Sequence, residues 1–314
     1  MMLSRVAENL FWIGRNVERS MNICRLLDAT YQVQLGEVVR PSQQGISNQG
    51  LLVPVRRILG LADESGTSSD DLMAELEPMI FGRETDFTVS TLLHQAKDNT
   101  RASQDVLGSQ PFSQLNRLYH SIQSKKIRLQ FQESPSRVLN KISHSCLLFF
   151  ALVDDTQPRA SPWHFLTLGR RIESIGILSR ILNEGLAMPL SNSVDPGFAH
   201  WVWLLNSCAA KDAFMGRHPK GVSPKALVDQ LMLDPDFPHS IRFGVNRAKL
   251  SLELIQAEVG EDRSRDAQRL IGRLDSLLRY MDAEEVISDG IEGLLGEIQW
   301  TCDRISERLY AAYF

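Results

Sequence analysis

The sequence predicts an all-α, multi-helix bundle, and three observations carry that prediction. Apolar residues recur at spacings of 3 and 4 over long segments, the mark of amphipathic helices. No segment sustains the period-2 alternation of a half-buried strand. The 314 residues, 43% hydrophobic and 23% charged, have the composition of an ordinary globular protein long enough to bury a substantial core.

The first helix is expected over 3–27. Val6, Leu10, Ile13, Val17, Met21 and Cys24 form its apolar stripe. A second stripe, Arg5, Glu8, Trp12, Arg15, Glu18, Asn22 and Arg25, alternates in charge along the same helix. Residues 29–37 continue the helical pattern, and 39–50, polar and rich in Gly, Ser, Gln and Asn, read as a flexible loop. A short helix over 51–61 is interrupted near Pro54. The turn at 63–71 supplies aspartates to cap a helix over 72–76. Helices over 89–107, 114–131 and 136–153 follow. The stretch 154–162, DDTQPRASP, is the clearest break and lies almost at the midpoint. Helices resume over 163–183 and 198–214. Gly216, Pro219, Gly221, Pro224 and Pro235 make 215–236 a loop around one short helix, and helices over 239–259, 264–281 and 283–313 complete the chain.

The chain repeats itself. Gly14-Arg15-x-Val17-Glu18 followed by Arg25-Leu26-Leu27 recurs as Gly169-Arg170-x-Ile172-Glu173 followed by Arg180-Ile181-Leu182, every position offset by 155. Leu10, Ile13 and Val17 correspond to Phe165, Leu168 and Ile172 at the same offset. Asp86-Phe87-x-x-Ser90 matches Asp236-Phe237-x-x-Ser240, offset by 150. The simplest account is two homologous helical halves, 1–153 and 163–314, joined by 154–162, related by a pseudo-two-fold and packed as one domain over 1–314. Gly14 and Gly169 fit it: glycine costs a helix interior about 1 kcal/mol relative to alanine, and close helix approach offsets that.

Composition and motifs exclude several function classes. The 34 basic and 38 acidic side chains leave a net charge of −4, without the basic footprint of a nucleic-acid binder. The longest strongly apolar run, 146–153, falls far short of the ~20 residues of a membrane span. Four scattered cysteines, Cys24, Cys146, Cys208 and Cys302, read as buried reduced thiols of a cytoplasmic protein. There is no HExxH or ExxH, hence no expected metal, and no GxSxG, GxxxxGK[ST] or GxGxxG. No self-sufficient catalytic centre is evident.

The charged stripe has two readings. One is a solvated face laced with ion pairs worth ~0.2–0.5 kcal/mol each. The other is a pair of arginine-bearing helices converging at the pseudo-two-fold, with Glu18 and Glu173 holding the guanidiniums of Arg15, Arg19, Arg25, Arg170 and Arg180, an arrangement suited to a carboxylate or phosphate. Trp12 bordering the stripe and the survival of the Arg/Glu spacing in the second copy favour the latter. Asp98, Asn99 and Arg101 line either the same cleft or the surface. His164, just ahead of the second stripe, is a candidate ligand or a structural histidine. An independent enzyme using the cleft for acid–base work is the alternative, but arginines beside a glutamate lower its pKa and make it a poor acid near neutrality. A purely structural scaffold is the third reading.

The opening LSRVAENLFWIGRNVERSMNICRLLD closely resembles the signature of the bacterial alpha-E family, helical proteins noted for a Glu-Arg pair, here Glu18-Arg19. The resemblance continues through AKDNTRASQDVL, LNRLY, FLTLGRRIESIGILSRIL, DPDFPHSIRF, RLIGRLDSLLRYMDAEEV and RLYAAYF, and so spans nearly the whole chain. The second copy departs from the pattern with Glu173-Ser174. The resemblance implies association with circularly permuted ATP-grasp ligases and transglutaminase-like peptidases in systems that make or modify peptides, including ribosomal ones. It therefore implies an auxiliary subunit that binds no cofactor itself, with ATP and Mg held by the partner ligase, and with a carboxylate-bearing peptide as substrate.

Overall fold

The computed structural model describes residues 4–39, 48–61, 71–83, 87–192, 196–259 and 264–314. Two long helices, α1 (Ser4–Val39) and α9 (Ser161–Asn192), pack against each other at the centre. Between Leu10 and Thr30, α1 is buried almost all round; beyond the apolar stripe, Phe11, Ile23 and Leu26 are also buried. A helix apolar on several faces belongs in a core rather than on a surface.

Each central helix carries its own layer. α4 (Val89–Ala102) and α8 (Pro135–Thr156) pack on α1, with α6 (Ser109–Gln123) between them on the outside. α13 (Ile241–Val259) and α16 (Ile291–Tyr313) pack on α9, with α14 (Arg265–Tyr280) outside them. α2 (Asn48–Leu59) and α10 (Phe198–Ser207) each touch both central helices. Trp203 of α10, fully buried, donates its indole N–H to Thr30 Oγ1 at 3.0 Å, tying the second half to α1. Among the described residues there is no strand and no helix long and apolar enough to cross a membrane.

Capping explains most boundaries. Asp71 accepts the Met73 amide and starts α3 (Leu72–Phe81), as expected of that turn. Ser124 ends α6 and accepts the Ile127 amide to start α7 (Lys125–Glu133), so the single helix expected over 114–131 is two. Ser103 separates α4 from α5 (Gln104–Leu107), and Ala209, at φ 51°, separates α10 from α11 (Lys211–Arg217). α12 (Pro224–Val228) continues into a π-helical turn, Asp229–Leu233. A reciprocal capping box of Asp282 and Glu285 starts α15 (Ala283–Ser288), and Gly290, at φ 92°, parts it from α16.

Three further expectations shift. α2 runs through Pro54 without interruption. The break at 154–162 shrinks to 157–160, because α8 extends to Thr156, whose hydroxyl donates to Leu152 O, and α9 begins at Ser161. In the second repeat match, Ser240 Oγ accepts the Phe243 amide at the head of α13, whereas α4 is capped by Thr88 and Ser90 accepts from Gln123. The two serines have different structural roles. Asp86, most of the loop at 39–50 and the turn ahead of Asp71 lie outside the described residues.

Candidate functional site: the arginine–glutamate core between α1 and α9

The site begins with two glycines. A Cβ on Gly14 would stand 2.1 Å from Leu166 O, and one on Gly169 would stand 2.1 Å from Phe11 O. Gly14 and Gly169 are offset by 155, and so are Phe11 and Leu166: each glycine receives the carbonyl that corresponds to the one its counterpart receives. The two backbones therefore touch where the helices cross, which is the close approach the glycines predicted.

Contact at Gly14 and Gly169 brings the next turn of each helix against the other. Arg15 reaches Glu173 through Nε at 3.0 Å and Nη2 at 2.9 Å, while its Nη1 donates to Ser306 Oγ of α16 at 3.3 Å. Arg19 grips the same carboxylate bidentately, Nε to Oε1 at 2.5 Å and Nη2 to Oε2 at 2.8 Å. Reciprocally, Arg170 Nε donates to Glu18 Oε2 at 3.1 Å, and Asn22 donates to the other oxygen at 3.2 Å. Arg25 completes that side with a donation to Asn22 Oδ1 at 3.5 Å. Both carboxylates are buried, Glu173 at 1% side-chain exposure and Glu18 at 4%, so the stripe is not a solvated face.

Aromatic rings cover the guanidiniums. Arg170 lies 3.8 Å from the Phe150 centroid, Arg15 lies 5.3 Å from Trp12, and Arg19 lies 5.8 Å from Phe87. The electrostatics favour fixed charge. Burial alone pushes the Glu173 carboxyl up, but the guanidiniums of Arg19 and Arg15, with Arg180 behind them, outweigh it and hold the group at about 2. Burial lowers Arg180 and Arg25, while in Arg19 the attraction of Glu173 overcomes burial and raises it. On the other side His239 is pushed down to about 4 by burial and by Arg25, Arg171 and Arg170, with Glu18 opposing. All four cysteines are free and buried, and burial drives Cys146 and Cys302 up to about 12, leaving inert thiols.

A cavity of about 280 Å³ opens beside this core, lined by Arg15, Glu173, Gly176, Arg180, Gln299 and Asp303, among others. Arg180 is held there by its donations to Gly176 O at 3.3 Å and Ile58 O at 3.2 Å. A larger groove of about 970 Å³ runs past Arg25, Asp28, Ser143, His144, Phe198 and Lys211.

The structure thus brings together Arg15, Glu18, Arg19, Arg25, Arg170, Glu173 and Arg180, with Trp12 packed on Arg15. The remaining candidates lie elsewhere. Arg5 is exposed and Glu8 half-buried in the opening turns of α1. Asp98 and Arg101 lie on the exposed face of α4, where Asp98 pairs with Lys97 and His94, and Asn99 is half-buried beside them. These three do not line the arginine–glutamate core, because α4 turns its apolar face, Leu92, Leu93 and Ala96, inward. His164 is buried edge-on against Trp163 at the start of α9, and burial lowers its pKa. Sequence reasoning missed Gln299, Asp303 and Ser306 of α16, Phe150 of α8, and His239. One signal for α8 and α16 was present: Cys146 and Cys302, offset by 156, flank the two carboxylates' sites.

An all-helical protein built on a buried, reciprocal Glu/Arg staple is the class that these contacts define. The chain belongs to the Alpha-E family, described as a predicted alpha-helical domain with a conserved ER motif, whose model matches residues 2–314. Glu18-Arg19 fits that motif, and each of the two residues reaches α9, Glu18 through Arg170 and Arg19 through Glu173. Among curated proteins it is similar to uncharacterized proteins of Mycobacterium bovis and Mycobacterium tuberculosis, 22% identical over 312 residues that cover 94% of this chain. The chain spans about a third of their length, 34%. No solved structure matches it.

Proposed function

We propose that this protein is an auxiliary, substrate-positioning subunit of an ATP-dependent amide ligase of the ATP-grasp class, acting on peptides in the cytoplasm. In that chemistry the ligase, with its own ATP and Mg, converts a carboxylate to an acyl-phosphate and ADP. An amine then displaces phosphate and gives up a proton to form the amide. The role of this chain is to bind and orient, and the observation that carries the reading is the state of Glu173. Buried and gripped by Arg15 and Arg19 at 2.5–3.0 Å, the carboxylate is held well below the usual range and in its charged form, which suits it to positioning and makes it a poor proton donor near neutrality. That argues against an independent enzyme working by acid–base catalysis from this core. The length of the mycobacterial relatives, in which the similar region is about a third of a longer polypeptide, supports a role exercised beside other domains.

We also read the two halves, 1–153 and 163–314, as duplicated copies related by a pseudo-two-fold through the Gly14–Gly169 crossing and forming one domain. The reciprocal glycine–carbonyl contacts, the reciprocal Arg15–Glu173 and Arg170–Glu18 pairs, and the matching layers α4–α6–α8 and α13–α14–α16 support this.

The test is co-expression with a circularly permuted ATP-grasp ligase, then size-exclusion chromatography and peptide-dependent ATP turnover. The expected result is co-elution and turnover that exceeds that of the ligase alone. Separate elution with no gain in turnover overturns the proposal.

A further inference from the structure

We infer that the open cavity between α1, α9 and α16 is a binding site for a small, neutral, free α-amino acid. The inference rests on the auxiliary role above, since the amino acid is the amine-bearing acceptor that such a ligase requires. Size comes first. At about 280 Å³ the cavity lies below the roughly 300–1,000 Å³ of drug-sized ligand sites, too small for a peptide segment.

Its charges then select the ligand. Three guanidiniums, those of Arg15, Arg19 and Arg180, surround one fully buried carboxylate, Glu173, so the inner end carries excess positive charge. Arg15 and Arg19 are spent on Glu173 and Ser306. Arg180 is different. Two main-chain carbonyls, Gly176 O and Ile58 O, hold its Nε and Nη1, and its Nη2 has no hydrogen-bond partner among the described residues. A half-buried guanidinium fixed by carbonyls, with one nitrogen unpaired among the described residues, is a seat for an external carboxylate. Asp303, on the same wall, is exposed and makes no hydrogen bond or ion pair with any described residue. It supplies the anionic partner for an ammonium group at the mouth. Gln299, likewise unpartnered among the described residues, lies one turn earlier on α16 and offers an amide to either end. Among the described lining residues, Ile172 and the protonated Cys302 form the apolar wall, and neither offers a charge to a side chain. A cation seat, an anion seat and a small uncharged wall within one cavity match an α-amino acid with a short neutral side chain.

The experiment is titration calorimetry on the isolated full chain with L-alanine, and with propionate and ethylamine as the two half-ligands. L-alanine is expected to bind at one equivalent and at least tenfold more tightly than either half-ligand. Asp303→Asn, an exposed change that leaves the core intact, is expected to weaken L-alanine at least tenfold and leave propionate unchanged, while Arg180→Gln weakens both. No heat from L-alanine, equal affinity for propionate, or indifference to Asp303→Asn each overturns the inference. Its fate is separable from that of the auxiliary role. A ligase complex without L-alanine binding removes this site alone, and L-alanine binding without a complex removes the auxiliary role alone.

Discussion

The carboxylates of Glu173 and Glu18 occupy corresponding positions in the two copies of one motif, yet their surroundings differ. Glu173 has two arginines, one of them bidentate; Glu18 has one arginine and the amide of Asn22. Two positions cause this: the one that corresponds to Arg19 is Ser174, and the one that corresponds to Asn22 is Ile177, which has no amide to offer. A second difference follows on the flanking helices. Arg15 is held by the hydroxyl of Ser306 on α16, whereas Arg170 is stacked on the ring of Phe150 on α8, and these two positions are offset by 156. The backbone contact is alike on both sides of the crossing, Gly14 against Leu166 O and Gly169 against Phe11 O, while the charged faces differ: one is an ion cluster beside an open cavity, the other an arginine-rich side next to a histidine.

That comparison predicts unequal costs for equal changes. Glu173→Gln leaves two buried guanidiniums without an anion and is expected to cost about 4 kcal/mol in chemical denaturation, within the range for breaking buried pairs. Glu18→Gln, which deprives one arginine, is expected to cost about half as much; equal costs would break the contrast. The glycines make the opposite prediction, since both sides are alike there. Gly14→Ala and Gly169→Ala each push a methyl into a main-chain carbonyl and are expected to cost about 3 kcal/mol each. Gly36→Ala, in the same helix with nothing within 4 Å of its Cβ, is the control, expected to be neutral or stabilising by up to ~1 kcal/mol.

How much of this was legible follows from which signals are local. Helical class is written in the 3–4 spacing, and the crossing was legible because a glycine in each copy has no other reason to interrupt a helix. The Arg/Glu spacing announced the ion cluster. It did not announce that Arg15 would find Glu173 rather than Glu18, its neighbour one turn along, because that choice is made by the backbone contact between distant helices. Asp98 and Arg101 were left between cleft and surface for the same reason: polar residues at helical spacing mark a face, and only packing decides whether that face looks inward. The boundaries that shifted, at Ser103, Ser124 and Ala209, depend on single caps or one left-handed residue inside otherwise continuous patterns. Thr156 carried α8 into the polar break, since a threonine can donate to the carbonyl four residues back and stay helical.

A smaller effect sharpens the contrast directly. Arg19→Ser gives the first copy the residue of the second and is expected to cost about 2 kcal/mol, the range for hydrogen bonds to a charged group. In that background Glu173→Gln is expected to cost no more than Glu18→Gln does in the parent. A double-mutant cycle reads the difference as the Arg19–Glu173 coupling, and a coupling near zero would assign the asymmetry to Ser306 and Phe150 instead.

The smallest expected effect separates the two sides by pH. Glu173 is an acid whose folded value, about 2, lies below its ordinary 4.5, so the unfolded chain takes up a proton first as pH falls. Its contribution to stability is complete above about 4.5 and is lost between there and about 2. His239 is a base with a folded value of about 4 against an ordinary 6.5. The unfolded state again binds the proton first, and this contribution is complete above about 6.5 and lost as pH falls toward about 4. Burial is the largest cause of that value; Arg25 and Glu18 on α1 and Arg170 and Arg171 on α9 also act on it, the three arginines opposing the imidazolium and Glu18 favouring it. Thermal denaturation from pH 8 to pH 2 is therefore expected to fall in two stages. His239→Gln is expected to reduce the upper stage alone, to which His164 also contributes, and Glu173→Gln the lower stage alone, to which Asp234 and Asp275 also contribute. If either substitution reduced both stages, the two sides of the crossing would be one coupled site, and the difference read from Ser174 and Ile177 would have no energetic meaning.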